Sequence, residues 1–123
     1  MNEMIDEYNI RQVIVIRRDL DMPPLKLAAQ AAHASLGATL KNLDHPRVKE
    51  WLAGRFTKIG LYVDSEDELK EVLQKAKEAN LINCEIVDSG KTVFDGVPTL
   101  TCIAIGPATK DELKPVTGRL KSK

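Results

Sequence analysis

Short apolar runs rich in β-branched residues alternate along this chain with stretches of helical period. That alternation leaves few architectures other than a layered α/β domain. The strand-like runs are RQVIVIRR (11–18), KIGLYV (58–63), NCEIVD (83–88) and TLTCIAIG (99–106), the last the most apolar. Between the first two lie LKLAAQAAHASLGATLKNL (25–43), alanine-rich and entered through Pro23 and Pro24, and DHPRVKEWLAG (44–54), with Pro46 in its first turn and Gly54 at its end. DSEDELKEVLQKAKEANL (64–81) predicts an amphipathic helix: Ser65 suits the cap, and Leu69, Val72, Leu73 and Ala76 recur at helical spacing. TKDELKPV (109–116) adds a last turn or two before TGRLK closes the chain. The order is β-α-α-β-α-β-β-α. A short link between the last two long strands predicts a hairpin, so the sheet is mixed rather than wholly parallel. The expectation is one compact three-layer α/β domain over 11–123, a mixed four-stranded sheet flanked by helices on both faces. A polar extension, 1–10, precedes it.

At 123 residues the chain has room for one such core. No apolar run approaches the roughly 20 residues needed to cross a bilayer. The start, MNEMIDEYN, is polar and acidic, unlike a secretory or transit peptide, so the expected location is cytoplasmic and off the membrane. Cys84 and Cys102 each lie inside an apolar strand and read as free buried thiols. Lys and Arg number 18, as do Asp and Glu, which gives no support to a generic nucleic-acid binder. The distribution is uneven: residues 64–80 hold six acids against three lysines, and the last fourteen hold five basic residues against two acids. Two arrangements fit this asymmetry. The basic end and the acidic middle form opposite faces, with the basic one meeting phosphates, or each is simply a solvated surface.

Near the back of the chain, VDSGKTVFDG (87–96) carries the Gly-Lys-Thr that ends a phosphate-binding P-loop. That motif needs a glycine five residues earlier and a helix directly after it. The glycine position is Glu85, and Gly96 and Pro98 break any helix after Thr92. A nucleotide-binding loop is excluded. In the 25–43 helix, Lys26, Gln30 and His33 fall within about 60° of one another at about 100° per residue, and Gly37 continues the stripe. The remaining faces are Ala and Leu. The expectation is a helix packed on most sides, its alanines close to the sheet, with one polar line facing a site.

If the strands ending at residues 18 and 88 are parallel, Lys26 and His33 face Asp88, Lys91 and Thr92 across one crevice. Such a set can position water, polarise a carbonyl and hold a phosphate. The alternative is an Asx-type turn, with Gly90 supplying positive φ. Two histidines, His33 and His45, without neighbouring Cys or acid spacing do not make a metal site. There is no Gly-x-Ser-x-Gly elbow.

Taken together, RQVIVIRRDLDM, KLAAQAAHA, DSGKT, CIAIGP and VTGRLK resemble the type 2 peptidyl-tRNA hydrolases, in order and from about Arg11 to Lys121. The resemblance implies hydrolysis of the ester linking a peptide to the 3′ ribose of tRNA, no metal or organic cofactor, and a possible homodimer. It implies catalytic roles for Lys26, His33, Asp88 and Thr92, and substrate contacts from Gln30, Lys91 and Arg119. Lys91 stands where the family usually has arginine, which keeps the charge but loses the bidentate fork. Met22-Pro23-Pro24-Leu25-Lys26 replaces a usual Met-Gly-Lys-Gly-Lys. Ser89 replaces alanine, Val93 glutamine, Tyr62 a frequent lysine and Arg119 a histidine. Each lost basic or polar group near the cleft lowers the expected grip on tRNA phosphates. Two other functions fit these departures. One is a non-catalytic module that binds tRNA or a protein; the other is a hydrolase of a different small ester.

Overall fold

A computed structural model describes residues 8–91 and 94–122. Four strands, β1 (Ile10–Arg17), β2 (Lys58–Val63), β3 (Asn83–Asp88) and β4 (Thr99–Thr109), form one sheet in the order β2-β1-β4-β3. β1 pairs parallel to β2, while β4 lies antiparallel to both β1 and β3. The sheet is mixed, as the β3–β4 hairpin predicts. β4 runs three residues beyond its sequence-predicted end, and residues 100–108 are all buried. An apolar run of this kind belongs in the middle of a sheet covered on both sides.

Helices α1 (Pro24–Leu40) and α2 (Pro46–Ala53) cover one face; α3 (Glu66–Glu78) and α4 (Lys110–Thr117) cover the other. On the α3 and α4 side, Val13, Val15, Ile103 and Ile105 pack with Leu69, Val72, Leu73, Leu113 and Val116. On the α1 and α2 side the residues are smaller: Ala34, Ala38, Val48, Cys84, Cys102 and Ala104. There α1 comes close enough that a Cβ at Gly37 would lie 2.7 Å from Cys84 Sγ. Gly37 is thus a packing glycine rather than a continuation of a polar stripe. Both cysteines are free and buried, and burial pushes the Cys102 thiol up to about 11. Ser65 caps α3 by accepting the Glu68 N–H at 3.1 Å. β1 starts at Ile10, and the Asn9 carbonyl accepts the Lys110 N–H, so the domain takes in residues assigned from sequence to the extension.

One expectation is corrected, and one of two open arrangements is ruled out. The outer face of α1 is not packed: Leu25, Ala29, Ala32, Leu36 and Leu40 lie on one side of the helix and are all exposed. The buried side runs instead through Gln30, Ala34, Ser35, Ala38 and Thr39, where Ser35 Oγ donates to the buried Gln12 Oε1. Alanine-rich composition hid which side faced inward, because alanine packs equally well in either place. The acidic and basic segments are also not opposite faces. α3 and α4 share one side of the sheet, and Arg119 donates to Glu71 of α3 at 3.1 Å.

Candidate active site

Since β1 and β3 both run antiparallel to β4, they run parallel to each other and end at the same edge of the sheet. The chain leaves β1 through a 3₁₀ turn, Arg18–Leu20, and enters α1 at that edge, with Pro24 in its first turn. Lys26 therefore reaches across to the end of β3. Its Nζ donates to Asp88 Oδ1 at 2.5 Å, with the side chains 20% and 9% exposed. The other carboxylate oxygen, Oδ2, accepts the Gly90 N–H at 2.9 Å. That second bond is the Asx-type turn weighed from sequence; the turn and the ion pair share one carboxylate.

Gly90 has φ 83°, and a Cβ there would come within 2.5 Å of the Val97 backbone nitrogen. Only glycine fits the turn. Gly96 N–H closes the loop onto the Gly90 carbonyl at 2.9 Å, and Phe94–Gly96 forms a 3₁₀ turn, so no α-helix follows the Gly-Lys-Thr. The Lys26 ammonium, helped by the Gly90 N–H, holds the Asp88 carboxyl below the ordinary carboxylate value against the opposing effect of burial. Two donors on a nearly buried carboxylate keep it ionised and fixed in direction.

The other sequence-predicted residues are placed as follows. His33 stands seven residues beyond Lys26, about 10 Å along the helix axis. It is exposed, with no hydrogen bond or ion pair among the described residues. Gln30 is 5% exposed, and its Oε1 accepts the Thr101 hydroxyl at 2.6 Å. It ties α1 to β4 instead of presenting its amide to a ligand, because it lies on the inward side of the helix. Lys91 is exposed beside the turn. Thr92, like Val93, lies outside the described residues. Arg119 pairs with Glu71 on the sheet face opposite α1, away from the Lys26–Asp88 pair. Among the described residues no group of three or more His, Cys, Asp or Glu side chains converges to hold a metal ion.

The same edge carries arginines that sequence reasoning treated only as the end of a strand. Arg17 donates to the Leu100 carbonyl at 3.1 Å and pairs with Asp19. Arg18 makes a two-pronged bond to Asp64, at 2.8 and 2.9 Å, and its guanidinium lies 3.8 Å over the Tyr62 ring. The signal was present: two arginines leave a buried strand just before the turn into α1.

Comparison with known proteins bears on what this edge does. The sequence profile of the family described as Peptidyl-tRNA hydrolase PTH2 matches residues 10–122. Proteins named peptidyl-tRNA hydrolase are similar throughout. One from Methanothermobacter thermautotrophicus is 38% identical, over 91% of this chain and 98% of that protein. Another, from Methanopyrus kandleri, is 41% identical, over 89% and 95%. A third, from Sulfurisphaera tokodaii, is 41% identical, over 90% and 96%. Among solved structures, a protein of unknown function from Agrobacterium tumefaciens superposes with a TM-score of 0.65 at 10% identity, covering 94% of this chain and 98% of that one, a likeness of fold alone.

Proposed function

Because the chain belongs to the peptidyl-tRNA hydrolase PTH2 family, we propose that it hydrolyses the ester between peptide and tRNA at the edge where Lys26 meets Asp88. The observation that carries the assignment of the site is the ion pair itself: residues 62 positions apart, from a helix start and a strand end, joined at 2.5 Å. In the reaction a water oxygen attacks the ester carbonyl carbon. The bond to the ribose 3′ oxygen breaks, one proton of the water passes to the 3′ oxygen, and the other is released to solvent as the peptide leaves as a carboxylate.

Asp88 orients the water through its fixed carboxylate, and Lys26 stabilises the negative charge that grows on the carbonyl oxygen. A carboxylate held below its ordinary value is a weak proton acceptor at neutral pH. Moving the Lys26 ammonium onto the substrate carbonyl removes the larger cause of that depression, so substrate binding itself strengthens Asp88 as a base. Thr92 and His33 are further contributors, Lys91 a contact to the tRNA backbone, and the place of action the cytoplasm, where tRNA is used. No helix among the described residues is long and apolar enough to cross a membrane.

The test is release of N-acetylaminoacyl groups from tRNA. Wild type turns over, and Lys26→Ala lowers kcat about 10²–10³-fold, the usual loss for one donor to a developing oxyanion. An unchanged kcat in a folded Lys26→Ala protein removes the lysine from the chemistry. Absence of wild-type turnover, with salt-dependent tRNA binding, points to a binding module.

The exposed row Leu25, Leu36 and Leu40 on α1 adjoins a groove of about 530 Å³ lined by Leu36, Trp51, Leu52 and Phe56. An apolar surface of this kind suits self-association through α1 and α2. Light scattering at micromolar concentration should give twice the chain mass for wild type. The double substitution Leu36→Glu and Leu40→Glu should give a monomer. A monomeric wild type refutes the homodimer.

A further inference from the structure

A second recess opens at the same sheet edge, on the α1 side of β2. It encloses about 330 Å³ and is lined by Ile16, Arg18, Met22, Leu27, Gly60 and Tyr62, among others. In the parallel register Ile16 stands beside Tyr62 and Ile14 beside Gly60, so Gly60 and Tyr62 share one face of the edge strand. A Cβ at Gly60 would meet nothing within 4 Å, so the glycine leaves open space next to the Tyr62 ring. Asp64 holds the Arg18 guanidinium by a two-pronged bond where it lies 3.8 Å over that ring. Leu27, one residue beyond Lys26, forms a wall of the recess.

Resting on the hydrolase reading above, we propose that this recess holds the 3′-terminal adenine of the tRNA, with the base packed in the space over Gly60 against the Arg18–Tyr62 stack. The ribose that carries the scissile ester also carries this base, so a pocket for it must lie beside the catalytic pair. Gly60 and Tyr62 lie on β2, three strands from Asp88 on β3 at about 4.8 Å per strand, and Leu27, the neighbour of Lys26 on α1, lines the recess on the side toward the pair. At about 330 Å³ the volume is near the lower end of small-ligand sites, room for one nucleoside and not for several. Apolar walls with a flat cationic and aromatic stack suit a base better than a phosphate. The two arginines of the recess are each already matched by an acid, Arg17 by Asp19 and Arg18 by Asp64, which leaves little uncompensated charge for a phosphate.

The experiment uses two minimal esters, N-acetylleucyl groups on the 3′ oxygen of adenosine and of uridine, alongside full N-acetylleucyl-tRNA. Wild type should favour the adenosine ester about tenfold in KM, in line with the stacking of one base. Gly60→Val, which fills the space and suits a strand, should raise KM for tRNA and for the adenosine ester about tenfold, with kcat moved much less, and abolish the preference. Tyr62→Leu should abolish it as well. A preference that survives both substitutions overturns the proposal and leaves the hydrolase reading intact. So does a Gly60→Val protein that loses discrimination among aminoacyl groups but keeps it among bases.

Binding of the trinucleotides cytidylyl-cytidylyl-adenosine and cytidylyl-cytidylyl-uridine, followed by calorimetry, separates the two ideas. Adenosine-selective binding lost in Gly60→Val, in a protein that hydrolyses nothing, supports the recess and refutes the hydrolase. No selectivity in binding refutes the recess.

Discussion

Asp88→Asn is expected to lower kcat for N-acetylaminoacyl-tRNA by about 10²–10⁴-fold, the range for losing a positioned acid–base group. Asparagine keeps the shape and can still accept the Gly90 N–H that holds the turn at 2.9 Å. What it loses is the negative charge that directs water and answers Lys26. Circular dichroism should show an unaltered fold, so the loss would belong to chemistry. The pH dependence supplies a second check. The folded Asp88 pKa lies below the unfolded value of about 3.9, so its contribution to stability is full above about pH 4 and is lost as pH falls through the folded value. An acid limb of wild-type kcat/KM from free Asp88 would accordingly lie below pH 4. A limb between pH 5 and 8 that remains in Asp88→Asn would belong to another group. Normal turnover by Asp88→Asn would remove Asp88 from the mechanism.

The largest effect on stability is expected at Ile103. It is fully buried in β4, between the neighbours Val15 of β1 and Glu85 of β3, and joins Leu69, Val72 and Ile105 in the larger core. Ile103→Ala removes three carbons from a place where both neighbouring strands fix the backbone, so the cavity cannot close. The expected cost is about 2–5 kcal/mol. Out of a total of about 5–15 kcal/mol for a domain, that is a drop in Tm of roughly 10–20 °C. Thermal unfolding followed by circular dichroism measures it. A drop under about 3 °C would mean that the sheet shifts to fill the space, contrary to the central position of β4.

The layered fold was legible because its signals are local. β-branched runs marked all four strands, two of them with the same bounds as the structure, and Ser65, Pro46 and Gly54 marked helix ends where they stand. The link between β3 and β4 was short enough to force an antiparallel pair. At the site, the prospect that Lys26 faces Asp88 followed from chain direction: two parallel strands finish at one edge, and a helix that starts there can reach the other strand's loop.

Other features needed three dimensions. Lys26, Gln30 and His33 share one stripe by angle, yet the structure parts them: Lys26 meets Asp88, Gln30 turns inward to Thr101, and His33 is exposed. An alanine-rich helix has little contrast around its circumference, so its sequence cannot say which arc meets the sheet. Arg119 was separated from the cleft by its pairing with Glu71, a partner 48 residues away. The Arg18–Tyr62–Asp64 cluster joins the ends of two strands that only the β1–β2 register brings together. Sequence by itself determined the elements, their order and the family, because periodicity, capping and motifs are written in neighbouring residues. Tertiary structure decided which polar groups meet, because a side chain's direction depends on which side of its element the core covers.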